Sequence, residues 1–141
     1  MFEFKKLLSY DNHPNIIIYN YDNIDSILDT LSDKKCNSNI YNGINYYNND
    51  VYSIFDTKNI NSKNIIDFKS YINQIIKKRY NFTKKEYIII KNLECNNKIQ
   101  HFLFSTIERC NGKFLFFSNS NHIYYKLQSI CVNIRYKKYI D

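Results

Sequence analysis

Three short runs of this chain are apolar without interruption, among them Ile16-Ile17-Ile18 and Ile88-Ile89-Ile90. Successive side chains of a strand point to opposite faces, so such a run is stable only where both faces of a sheet are covered. A parallel sheet flanked by helices meets that condition. Two more runs rich in β-branched and aromatic residues bring the expected strands to five, at residues 15–21, 51–57, 87–93, 113–119 and 131–136.

Helical spacing falls between them. Ile24, Ile27, Leu28 and Leu31 recur at i, i+3, i+4, i+7, with Asp22 or Asn23 available as N-cap. Ile65, Phe68, Ile72, Ile75 and Ile76 form a second stripe, which Asn61 or Ser62 can cap. Ile99, Phe102, Leu103 and Ile107 form a third, expected to stop where Gly112 takes the left-handed C′ conformation. Strands alternating with helices predict a doubly wound parallel α/β sheet of about five strands with right-handed crossovers. Residues 32–50 are rich in Asn, Asp, Ser and Tyr without a clear period, and hold Gly43. They read as a long surface excursion, with room for a short strand or helix. At 141 residues, with no linker and no internal repeat, one domain spanning 1–141 is expected.

The chain carries a formal net charge of +7, which favours phosphate-rich or acidic partners. Asn, Ile, Lys and Tyr dominate, however, with almost no Gly, Pro or Ala. An AT-rich coding genome, such as that of a large DNA virus or an AT-rich protist, gives this bias without selection for binding. Cys36, Cys95, Cys110 and Cys131 include no Cys-x-x-Cys pair, and His13, His101 and His122 are scattered, which argues against a structural zinc site. The N-terminal residues lack an apolar signal core and no stretch reaches membrane-spanning length. An intracellular protein, cytoplasmic or nuclear, with reduced thiols is expected, and no membrane partner. The Asn81-Phe82-Thr83 sequon then marks a turn.

Four stretches carry a family resemblance. They are His13-Pro14-Asn15-Ile16-Ile17-Ile18-Tyr19; Tyr52-Ser53-Ile54-Phe55-Asp56-Thr57 with the helix through Ile65, Lys69 and Ile72; Ile88-Ile89-Ile90 with the helix ending Thr106-Ile107-Glu108; and Phe116-Phe117-Ser118-Asn119 followed by Leu127-Gln128-Ser129-Ile130-Cys131 and Ile134-Arg135-Tyr136. In this order they resemble the ATPase (AAA+) core of clamp-loader small subunits, the replication factor C type. Leu-Gln-Ser-x-Cys at a fixed distance from a strand-ending Asn is the most specific part. The resemblance implies a P-loop NTPase-like sheet with strand order 5-1-4-3-2.

The residues that use ATP in that family are missing. A phosphate loop needs glycines, so that backbone N–H groups converge on the phosphates, and a Lys for their charge. Only Gly43 and Gly112 exist, and Asn20-Tyr21-Asp22-Asn23-Ile24-Asp25-Ser26 stands in the loop's place. Asp22 and Asp25 would repel a triphosphate. The family's magnesium-site Asp-Glu pair reads Lys91-Asn92, with Glu94 at a later Asp position. The Ser-Arg-Cys motif reads Ser129-Ile130-Cys131, without the Arg that reaches a neighbour's ATP site. Asn119 matches the family's sensor of the γ-phosphate, or simply ends a strand and bonds nearby backbone. No Gly-x-Ser-x-Gly elbow or His-Glu-x-x-His motif offers another chemistry. No catalytic activity, cofactor or small-molecule substrate is expected.

Surfaces remain. Lys69 matches an Arg of the family's second helix, near its DNA-tracking face, and Lys63, Lys77, Lys78 and Arg79 extend a basic edge. The alternative is a solvated helix face whose basic last turn complements the helix dipole. The family's lid and collar are not found before Ile140-Asp141, so an ordinary ring subunit is not expected. Two functions stay open: an interaction module binding DNA or a clamp-loader or other replication protein, and a standalone structural or host-interaction protein that reuses the fold.

Overall fold

A computed structural model of the chain describes residues 14–81, 87–109 and 114–135. Among the described residues seven strands form one mixed sheet: β1 Ile16–Tyr19, β2 Asn37–Tyr41, β3 Ile44–Asn48, β4 Tyr52–Asp56, β5 Tyr87–Lys91, β6 Phe114–Ser118 and β7 Val132–Arg135. Four helices join them: α1 Ile24–Leu31, α2 Ile65–Asn81, α3 Asn97–Arg109 and α4 Tyr125–Ser129. The order across the sheet is β2-β3-β4-β5-β6-β1-β7. The neighbours from β4 to β7 are parallel, whereas β2–β3 and β3–β4 are antiparallel.

The uninterrupted apolar runs are explained by burial on both faces. Ile17, Tyr19, Phe55, Ile88, Ile90, Phe114 and Phe116 pack with α2, α3 and α4 on one face. Ile16, Ile18, Ile54, Ile89, Leu115 and Phe117 pack with α1 on the other. The face used by each helix follows from the direction of travel. From β1 the chain crosses by way of α1 to the far side of the sheet. It then returns through β4, β5 and β6 with α2 and α3, and reaches β7 over α4. Crossovers of one hand place helices on opposite faces when the direction reverses. The single reversal therefore matches the single change of face.

The helical stripes fall where the spacing puts them. Ile65, Phe68, Ile72, Ile75 and Ile76 are buried along α2, and Ile99, Leu103 and Ile107 along α3. Asn23 is the N-cap of α1, its side chain accepting the Ser26 N–H at 3.3 Å. At α2 the expected caps are corrected. The helix starts at Ile65, and Asn61 acts one turn earlier, accepting the Lys63 and Asn64 N–H groups at 2.9 and 3.2 Å. Ser62 is an exposed turn residue. The expected stop at Gly112 lies outside the described residues, as do the strand ends at Lys113 and Tyr136. Asn81 closes α2, while the rest of its sequon is outside the described residues.

Two expectations need larger correction. The sheet has seven strands, not five, and is mixed. The added pair comes from residues 32–50, where the excursion with room for a short strand or helix forms an antiparallel hairpin of two strands. Its turn is Asn42-Gly43, with φ of 47° and 84°. Both residues at positive φ are what a two-residue hairpin turn requires, and Asn-Gly adopts it at least cost. Aromatic packing holds the hairpin against α2. Tyr41 stacks on Tyr71 at 4.4 Å between ring centroids, Tyr46 stacks on Phe55 at 5.1 Å, and the Tyr71 hydroxyl donates to that of Tyr46 at 2.7 Å. Much of the tyrosine content thus has a structural use.

Asn15 ties the opposite ends of three strands together. Its side-chain oxygen accepts the Phe114 N–H and its carbonyl the Val132 N–H, both at 2.9 Å.

Candidate functional site

In an open α/β sheet the ligand crevice lies at the carboxyl ends of the strands, where neighbouring strands send their chains to opposite faces. Here that point lies between β1, which leads to α1, and β6, which leads to α4 on the other face. A cleft sits there, lined by Ile18, Tyr21, Ile24, Asn92, Phe117, Ser118 and Asn119. Its volume is about 20 Å³, enough to hold a water molecule.

Side chains of the protein itself fill the surroundings. Asn20 turns the chain at φ 59° and donates its N–H to the Ser118 carbonyl at 2.8 Å, joining the ends of β1 and β6. A phosphate at the α1 N-terminus would need free N–H groups there. Asn23 already accepts from the Ser26 N–H, the Ser26 hydroxyl donates to the Asn23 carbonyl at 2.9 Å, and the Tyr21 hydroxyl lies 2.9 Å from the Ser26 hydroxyl. The helix end is capped by its own sequence.

The β4–β5–β6 side is cross-braced in the same way. Lys91 ends β5 opposite Asp56 of β4. Asn92 follows at φ 56° and donates its side-chain amide to Asp56 Oδ1 at 2.9 Å, while the Thr57 hydroxyl donates to the Asn92 carbonyl. Asp56 Oδ1 also accepts the Lys58 N–H at 3.0 Å, capping the 3₁₀ turn Thr57–Asn59. Glu94, in the 3₁₀ turn Leu93–Cys95, accepts the Asn119 N–H on Oε2 at 3.1 Å. The two carboxylates at this edge are thus engaged with backbone and amide groups. Asn119 is exposed, directly follows β6, and is tied to Glu94 through its backbone.

The Leu-Gln-Ser-x-Cys stretch is occupied as well. Leu127 is fully buried, and Gln128 donates its amide to the Tyr19 hydroxyl at 2.9 Å. That hydroxyl donates to Asn133 Oδ1 at 2.8 Å, and Asn133 returns a bond to the Gln128 carbonyl at 2.9 Å. The Arg135 guanidinium lies 4.7 Å from the Tyr19 ring centroid. Burial pushes the Tyr19 phenol up from its ordinary range, and it pushes the Cys131 thiol up to about 12. A thiol so raised is a packing group and a poor nucleophile at neutral pH. Tyr19, Gln128 and Asn133 form a closed unit that sequence reading overlooked. The polar residues five apart in Gln128 and Asn133 were its only trace.

The basic candidates are spread out. Lys63 is exposed in the turn before α2, near the carboxyl ends of the strands. Lys69 is half-buried, its ammonium 5.7 Å from the Phe102 ring centroid. Lys77 is exposed two turns further on, roughly 20 Å along the chain from Lys63 at 1.5 Å per residue. Lys78 and Arg79 belong to the last turn of α2, and their side chains lie outside the described ones. Lys63, Lys69 and Lys77 are strung out from the turn before α2 along the helix and do not gather in one patch.

Among the described residues no helix is long and apolar enough to cross a membrane, and no group of His, Cys, Asp and Glu is placed to hold a metal ion. No protein-family model matches the sequence, and no curated protein matches it.

Proposed function

We propose that this protein is a non-catalytic interaction module with a clamp-loader-like α/β core, which binds DNA or a replication protein through its surface. The observation that carries this reading is the self-capped α1 N-terminus beside the Asp56–Asn92 and Glu94–Asn119 braces. The Ser26 N–H is taken up by Asn23, and the Asp56 and Glu94 carboxylates are engaged by backbone and amide N–H groups, which supports a site that works without nucleotide and magnesium. The five parallel strands lie in the order β7-β1-β6-β5-β4. Numbered among themselves they read 5-1-4-3-2, the order the resemblance calls for, and this supports the ancestral part of the reading.

DNA contact is tested by titrating short primer–template duplex at several salt concentrations. Binding is expected to weaken steeply with salt, by a slope near the number of phosphates neutralised. Replacing Lys63, Lys69, Lys77, Lys78 and Arg79 together by Gln is expected to lower affinity at least tenfold at low salt. A well-folded protein that shows no binding at low salt removes DNA as the partner.

The second reading is a standalone structural or host-interaction role for the same fold. It is favoured by the roughly 20 Å spread of the cations from Lys63, before α2, to Lys77 within it, and by the engagement of Lys69 with Phe102. Partners recovered from outside the replication machinery would decide for it.

A further inference from the structure

Among the described residues, the hairpin leaves β2 at one edge of the sheet. Edge strands are usually blunted by Lys, Pro, a bulge or great shortness, because their unpaired backbone groups recruit other strands. β2 has none of these. Residues 37–48 contain no charged side chain and no proline, in a chain with 20 Lys and Arg and 13 Asp and Glu. The ladder to β3 runs unbroken over five pairs, from Asn37↔Asn48 to Tyr41↔Ile44. At the opposite edge, by contrast, β7 carries Arg135.

The register fixes what the free side of β2 offers. Residues flanking a two-residue turn exchange both backbone hydrogen bonds, and bonded and non-bonded pairs then alternate. Tyr41, Asn39 and Asn37 therefore bond inward to β3, while Ser38 and Ile40 direct N–H and C=O away from it. Side chains alternate too. Tyr41 packs toward α2, so Ile40 and Ser38 point to the opposite face, as does Tyr47, the partner of Ser38. Four large hydrophobic side chains are exposed among the described residues, and this small face holds two of them, Ile40 at 73 % and Tyr47 at 54 %.

From this geometry we infer that β2 pairs with β2 of a second copy of the chain, antiparallel about a two-fold axis at Asn39. The arrangement is self-complementary. Ser38 of each copy faces Ile40 of the other and exchanges both hydrogen bonds with it, and Asn39 meets Asn39 on the axis. On the exposed face the two Ile40 side chains become diagonal neighbours. Ser38 is small, which leaves space for Tyr47 to reach across it to the other copy's Ile40. Both exposed hydrophobic side chains of the hairpin are thereby covered in each copy. Charge selects the same surface. Two chains of net charge +7 repel wherever lysines meet, and this hairpin is a strip without charge. A five-residue strand covers less than the about 800 Å² per partner of a stable interface, so the dimer is reversible and concentration-dependent.

Sedimentation equilibrium from micromolar to near-millimolar loading tests this. The unmodified chain is expected to pass from monomer to dimer and no further. Ser38→Pro removes an outward-facing donor while sparing the β2–β3 bonds, and Ile40→Lys sets two charges against each other across the axis. Each is expected to weaken dimerisation at least tenfold. Ile66→Lys, at a side chain 75 % exposed on α2, serves as control and is expected to leave it unchanged. The inference is overturned by a monomer at every concentration, by species larger than a dimer, by a dimer that survives both hairpin substitutions, or by equal loss with Ile66→Lys.

Discussion

Replacing Phe55 by Ala is expected to remove about 3–5 kcal/mol of stability, the cost of emptying a buried aromatic site that cannot collapse. Phe55 is 1 % exposed in β4 and sits at the centre of the aromatic cluster. Its ring stacks on Tyr46 and meets Phe68 and Tyr71 edge-on, at 5.5 and 5.8 Å between centroids. The cluster joins three elements, since Tyr46 belongs to β3 and Phe68 and Tyr71 to α2. Loss of the ring thus loosens the hairpin, β4 and α2 together. Domains of this size are stable by about 5–15 kcal/mol, so about a fifth or more of the margin is at stake. Urea denaturation followed by circular dichroism measures it. Phe55→Leu, which keeps most of the volume, is expected to cost markedly less. Equal, small costs for both would show that the hairpin is not packed as described.

The second large effect is expected at Gln100. This side chain is fully buried, an uncommon place for an amide. Its Nε2 donates to the Leu93 carbonyl at 2.9 Å and its Oε1 accepts the Tyr124 N–H at 2.7 Å. One residue of α3 thereby clamps the 3₁₀ turn after β5 and the entrance to α4. Gln100→Leu fits the space but leaves the Tyr124 N–H without its partner, at about 1–3 kcal/mol, and leaves the Leu93 carbonyl only the longer bond from the Asn96 N–H at 3.5 Å. A loss of about 1–3 kcal/mol is expected. Gln100→Glu adds a test by pH. The carboxylate can still accept from Tyr124 but cannot donate to Leu93, and burial raises its folded-state pKa above the unfolded value. A raised pKa contributes stability that is full at acid pH and lost as pH rises through it. The Glu variant should therefore fall furthest behind the unmodified protein near neutrality and recover as the solution is acidified. Stability losses under 1 kcal/mol for both variants would contradict the clamp.

Residue pattern alone revealed the parallel core because burial on both faces leaves an uninterrupted apolar run. Ile16-Ile17-Ile18 and Ile88-Ile89-Ile90 became β1 and β5 with little adjustment at their ends. The three helical stripes were equally plain, because α1, α2 and α3 each bury one face against that core. The β2–β3 hairpin was hidden for the opposite reason. Asn37, Ser38 and Asn39 have poor strand propensity, and their order comes from pairing with β3 and from Tyr41 on Tyr71. The Asn42-Gly43 turn was the available signal. Gln100 and Asn15 were missed because a lone amide beside apolar residues looks like surface until its partners are known. At the carboxyl edge, the residue types Lys91, Asn92 and Glu94 were legible. Their bracing to Asp56 and Asn119 depends on strand order and on Asn92 at positive φ, which spacing does not encode.

The central claim is that this edge is a closed structural brace and the module works without nucleotide. Calorimetric titration with ATP and magnesium, paired with a melting curve of the same sample, tests it most directly. No binding heat and no change in Tm are expected with ATP in large excess. Saturable heat with a Tm that rises as ATP is added, as linkage requires of a ligand held by the folded state, would contradict it.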